Sequence, residues 1–187
     1  MKRNHSFKAL TLIETIVALG VTAMVVLTAF SAYFLHQKAS QAGWVYIELA
    51  QNGRAALDRM SREIRQTPMI VTFLPPDASQ PPANELTFQD GHESERIKYI
   101  TYYLDGDQLK RRVSYYYFTS DPATWVPYDS KDQTGNSPEM AILEDEVMAH
   151  YFSSIGFYGE KVINVRFTLQ KGTTSLSFQT AIWSRNL

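Results

Sequence analysis

Apolar and polar residues fall into three regimes along this chain. From Leu10 to Leu35 nearly every position is apolar, and Glu14 is the one ionised side chain in 26 residues. From His36 to Gln66 the composition turns polar without proline, and apolar residues recur at Val45, Leu49, Ala56, Leu57, Met60 and Ile64. Spacings of three, four and seven put these on one helical stripe. After Thr67 and Pro68, which stop that pattern, short runs alternate with period two, as strands do. The pattern predicts an α+β protein: a long N-terminal helix over 10–66, packed on an antiparallel, β-rich head over 67–187.

At about 1.5 Å per residue, 10–35 makes a helix of about 39 Å, against a hydrocarbon core of about 30 Å. That segment is long enough to span a membrane, and 10–66 as one helix would reach about 85 Å. Gly43 and Gly53 each cost about 1 kcal/mol in a helix interior, so a bend or local loosening is expected there. On the polar face Arg54 and Asp58, then Asp58 and Arg62, stand at i,i+4.

In the head, Met69 to Phe73 is a short apolar run followed by the Pro-rich loop "LPPDASQPPAN", and Glu85 to Gln89 alternates. Arg96–Leu104 and Gln108–Phe118 flank "DGD", whose Asp105 and Gly106 suit a tight hairpin turn. Thr119 to Glu139, rich in Pro, Asp, Ser and Gly, reads as a long loop, and Val147–Tyr158 reads as either strand or helix. Val162–Leu169 turns Ile163, Val165, Phe167 and Leu169 to one face. A turn at Gly172 then leads to a return strand with Leu176, Phe178, Thr180 and Ile182 inward.

Charge adds direction. The chain of 187 residues carries a formal net charge of −1, which suggests neither nucleic acid nor an acidic substrate. Lys2, Arg3 and Lys8 precede the apolar run and the next basic residue is Lys38, so the N-terminus is expected in the cytoplasm and the head outside. The run is too long for the 7–15-residue apolar region of a secretory signal peptide. Cysteine is absent, which excludes disulfides and thiolate metal sites.

Candidate chemistry is sparse. His5, His36, His92 and His150 have no metal-ligand spacing, and no P-loop, nucleophile elbow or dinucleotide fingerprint appears. Neither an enzyme nor a cofactor is expected. Asp121, Asp129 and Asp132 read as solvated loop carboxylates rather than a calcium site. Lys110, Arg111 and Arg112 stand beside Tyr115, Tyr116 and Tyr117, a combination that can hold nucleic acid through phosphate charge and stacking. Strand alternation sends neighbours to opposite faces, so DNA contact is the lesser expectation and a sheet face the greater.

Glu14 is the anomaly. An uncompensated carboxylate at a helix centre in hydrocarbon costs about 2.5–3.5 kcal/mol, and less near the interface. Such a residue implies a partner, and one candidate is the α-amino group that cleavage before Leu10 would create.

The stretch "KALTLIETIVALG" resembles the class III signal of type IV prepilins and pseudopilins: a short basic leader ending at a small residue, then an apolar mature chain with Glu fifth. Counting Leu10 as first places Glu14 fifth. The resemblance implies cleavage between Ala9 and Leu10 by a membrane prepilin peptidase, N-methylation of Leu10, and assembly through Glu14. Ala9 stands where Gly is usual, Leu10 where Phe or Met is usual, and Ser31 where many major pilins have a kinking Pro. It further implies the pilin fold, a leader over 1–9, insertion in the inner membrane, and passage from lipid through an inner-membrane assembly platform into a filament of other pilin-like subunits. Cleavage would shift the formal net charge from −1 to −4. "ALDRMSREIRQTP", "LDGDQLKRR" and the closing hairpin more loosely resemble minor pilins of the W type and J-type pseudopilins of type II secretion, which implies tip membership. The rival expectation is a membrane-anchored binding module, an adhesin or DNA receptor, that never assembles.

Overall fold

The computed structural model describes residues 11–92 and 96–186. The chain divides into two compact units, Met1–Trp44 and Val45–Leu187. Helix α1, Leu12–Gln66, provides nearly all the described residues of the first and opens the second. It runs unbroken through Gly43 and Gly53, and its residues 12–35 are exposed. Asp58 pairs with Arg62 at 3.2 Å, whereas the expected Arg54–Asp58 pair does not form.

In the second unit Leu49, Gly53, Ala56, Met60 and Ile64 are buried, with Val45 and Leu57 half-buried against the same core. The stripe read from spacing is therefore the packed face. Opposite it, among the described residues, lie eight antiparallel strands in two sheets: β1 Leu86–Gln89, β2 Tyr99–Asp105, β3 Gln108–Phe118, β4 Asp121–Val126 and β5 Glu139–Ala149, then β6 Phe152–Tyr158, β7 Val162–Lys171 and β8 Thr174–Trp183.

Strand β3 is central in the first sheet. It pairs with β2 through Gln108–Ser114 and with β4 at Tyr116–Phe118, while β5 lines its other edge from Leu109 to Tyr117. The β2–β3 turn carries Gly106 at φ 62°, a conformation only glycine adopts freely. The second sheet runs β6-β7-β8, and Ile163, Val165, Phe167 and Leu169 are all fully buried on the face predicted for them.

Two expectations for the head are corrected, and an open one is resolved. Met69–Phe73 is no strand: Ile70 only bridges to Phe88, with Val71 N–H donating to the Thr87 carbonyl at 2.8 Å. The supposed loop over 119–139 contains β4, because Trp125 stacks on Tyr115 at 4.3 Å and draws "DPATWV" onto β3. The ambiguous stretch 147–158 is the end of β5 and all of β6, broken where Tyr151 takes φ 69°.

The helix C-terminus is closed by the last described residues. Its final carbonyls have no intrahelical donors. Arg185 N–H donates to the Arg65 carbonyl at 3.0 Å, Asn186 Nδ2 to Gln66 at 3.0 Å, and the buried Ser184 hydroxyl to Thr67 at 2.9 Å.

Candidate functional site

Ala9 and Leu10 lie outside the described residues. Glu14 sits in the first turn of α1, where the positive end of the helix dipole favours a carboxylate. Its Oε2 accepts from the Thr11 backbone N–H at 2.9 Å and from the Thr11 hydroxyl at 2.9 Å. The Glu14 N–H approaches Thr11 Oγ1 at 3.4 Å in return. This is a capping box: Thr11 is the N-cap and Glu14 the third helical residue reaching back. The second carboxylate oxygen, Oε1, has no partner among the described residues. Thr11 was missed in the sequence, although Thr-x-x-Glu before an apolar run is the signal for it.

Along the rest of the apolar segment the serine and threonine hydroxyls are satisfied within the helix. Thr15, Thr22, Thr28 and Ser31 each donate to a carbonyl three or four residues back, at 2.7–3.3 Å. Hydrocarbon offers no other acceptor, so this back-bonding is what a lipid-facing helix requires. Helix α1 is long and apolar enough to cross a membrane. Glu14 is thus the place in this segment where ionic chemistry remains available.

The basic trio of β3 is engaged elsewhere. Lys110 pairs with Asp105 at 2.5 Å, and that hydrogen bond raises its pKa. Arg112 donates to Asp145 at 3.2 Å and lies over the Tyr103 ring. Arg111, 9% exposed, turns the other way: its Nε donates to both oxygens of Glu63 at 3.1 Å, and Nη1 reaches Glu144. Burial works against the Arg111 charge, and its hydrogen bond and attraction to Glu63 outweigh that, so its pKa stays above the ordinary value. Tyr102 completes the network by donating its hydroxyl to Glu63 at 2.5 Å, with burial and the Glu63 charge both raising its pKa. Each of the three cations faces a carboxylate that a phosphate would have to displace.

Strand alternation explains the split. Lys110 and Arg112 share a face with Asp145, while Arg111 faces α1 beside Tyr102. Glu63, the helical residue that meets it, carried no sequence signal, since a Glu on a polar helix face normally stays solvated. Asp132 is taken up locally, accepting from Thr134 and Asn136, and no group of three or more metal-ligating side chains occurs among the described residues.

No protein-family model, no curated protein and no solved structure matches this chain. What stands is the class of architecture: a long apolar N-terminal helix followed by an antiparallel-sheet head, compatible with a pilin-like fold.

Proposed function

We propose that this chain is a minor pilin or pseudopilin, a non-enzymatic subunit of a type IV pilus or type II secretion-like filament, placed in the tip complex that primes assembly. The observation that carries the reading is Glu14. It is fifth from Leu10, the one ionised residue of the apolar segment 10–35, whose other serine and threonine hydroxyls are satisfied within the helix, and one of its carboxylate oxygens has no partner among the described residues. A new α-amino group on a neighbouring subunit is the partner this geometry suits. It would offset the cost of the charge in an apolar filament core.

On this reading the chain enters the inner membrane with its N-terminus in the cytoplasm, loses residues 1–9 to a prepilin peptidase, and is methylated at Leu10. An assembly platform then draws it from lipid into the filament, where its head is exposed. Replacing the small residue before the cut tests the step: Ala9→Leu leaves a full-length chain in membranes, and normal shortening of that variant would refute the assigned site. A chain that is never cut would instead be a membrane-anchored binding module.

A further inference from the structure

Most sheet edges of the head are protected. The outer edge of β1 is occupied by Met69–Thr72, with Val71 N–H on the Thr87 carbonyl and Gln89 N–H on the Met69 carbonyl. The outer edge of β6 holds Ala83 in two reciprocal hydrogen bonds with Phe157, and Asp107 accepts from Phe152 N–H. Strand β5 is bulged twice, at Leu143 and Met148, and carries Glu139, Glu144, Asp145 and Glu146. Strand β4 is six residues long and contains Pro122. Short length, bulges, proline and charge are how edge strands avoid pairing with other chains.

Strand β8 has none of these. Its ten residues, "TSLSFQTAIW", include no charge and no proline, and it pairs with β7 in unbroken register from Lys171↔Thr174 to Val162↔Trp183. Gln170 N–H points away from β8 to the Tyr151 carbonyl, so the odd-numbered residues of β7 face β8 and the even-numbered residues of β8 face back. The amides and carbonyls of Ser175, Ser177, Gln179, Ala181 and Trp183 therefore point outward. They meet no hydrogen-bonding partner among the described residues. Only past the strand end is the edge closed, where Arg185 N–H reaches Arg65. The inner face thins here too: the central β7 residues are fully buried, while Leu176 and Phe178 are half-buried.

The geometry points to β8 as a docking edge that accepts an extended, uncharged segment of a different protein chain as a ninth strand. Main-chain hydrogen bonds to the outward residues would supply affinity. Alternate apolar side chains of the incoming strand would cover the half-open shoulder of Leu176 and Phe178, and its other side chains would lie beside Ser177 and Gln179. Charge complementarity sets the occupant's chemistry, because a neutral edge offers nothing to an ionised strand. A second copy fits poorly. Helix α1 runs along β8 in the same direction, Gly53 lying by Phe178 and Arg65 by Arg185. An antiparallel pair about a two-fold axis at Gln179 would reverse that helix in the partner, which subunits of common polarity in one membrane do not permit, and a parallel pair would turn the inner faces of the two copies to opposite sides of the joined sheet. That exclusion of self-pairing rests on the proposed function; the docking edge itself does not.

The test uses the full chain in detergent micelles and, as probe, an acetylated, amidated eight-residue peptide of alternating Thr and Val. Amide hydrogen exchange is read residue by residue. Before peptide, Ser175, Ser177, Gln179 and Ala181 exchange fast while Leu176, Phe178 and Thr180 are protected. With saturating peptide the first group slows by about tenfold or more and the second is unchanged. Gln179→Pro removes an outward donor without breaking the ladder to β7, and Gln179→Lys adds the missing charge. Both abolish the slowing, and if the proline variant loses protection at Phe178 the lysine variant decides. Absence of slowing in the wild type, or slowing unchanged in the lysine variant, would overturn the proposal. Protection of the odd-numbered amides without peptide, lost on dilution, would also overturn it by identifying a second copy as the occupant.

Discussion

Gly53 lies directly beneath the ring of Phe178: a Cβ built on Gly53 would stand 2.3 Å from the ring edge. The glycine lets helix α1 approach β8, and the ring in turn stacks on Phe167 at 5.2 Å between centroids. Gly53→Ala gains about 1 kcal/mol of helix propensity, but overpacking costs about 1–3 kcal/mol. The predicted net effect is a loss of up to about 2 kcal/mol in denaturant unfolding, and Gly53→Leu loses more. Adding Phe178→Ala to Gly53→Leu recovers part of that loss; purely additive effects would show that the contact is not the cause.

Glu63 is the counter-charge of a nearly buried guanidinium. Glu63→Ala leaves Arg111 only the longer contacts of Nη1 with Glu144 and Glu146 and is predicted to cost about 3 kcal/mol, whereas the triple change Glu63→Leu, Arg111→Met and Tyr102→Phe, which leaves no member of the pair or its hydroxyl donor unpaired, costs less. Tyr102→Phe removes one donor from a charged acceptor and costs about 1.5–3 kcal/mol. Equilibrium unfolding of the three variants checks the ranking.

The Asp132 loop should be acid-resistant. Hydrogen bonds from the Thr134 hydroxyl and then the Asn136 amide hold its carboxyl down at about 2. Because the folded value is depressed, the contribution is fully present above the ordinary value of 3.8 and is lost as pH falls through about 2. NMR signals of the Thr134 and Asn136 amides are therefore expected to keep their positions down to about pH 3 and to move below it. Asp132→Asn abolishes that acid transition.

The helix N-terminus separates two roles of Glu14. Thr11→Val removes the cap hydroxyl and is predicted to loosen the first turn by about 1 kcal/mol, read as faster amide exchange there, while filament incorporation persists. Glu14→Ala loosens the same turn and also removes the subunit from sheared filaments. Equal incorporation of both variants would leave Glu14 with a capping role only.

Much of this fold was legible because its pattern is periodic. The stripe Leu49, Ala56, Met60, Ile64 and the alternation Ile163, Val165, Phe167, Leu169 each report a face that must be buried, and each is buried. Strand β5 was not legible, because "EDE" in its middle reads as loop until Arg111 and Arg112 of the neighbouring strand are brought opposite. Gly53 was read as a weak point because propensity is local, whereas the ring that requires it arrives from residue 178. At the helix N-terminus the isolation of Glu14 stands out in the sequence, and the cap it shares with Thr11 was overlooked. Arg111 was grouped with Lys110 and Arg112 because sequence alone does not say which face of β3 turns toward α1.

Whether this chain becomes a processed filament subunit is read from the intact mass and N-terminal residue of the protein recovered from membranes of its own host. A chain beginning at N-methylated Leu10 is the predicted result. A chain that still carries residues 1–9 would refute processing and leave an anchored head in place of a filament subunit.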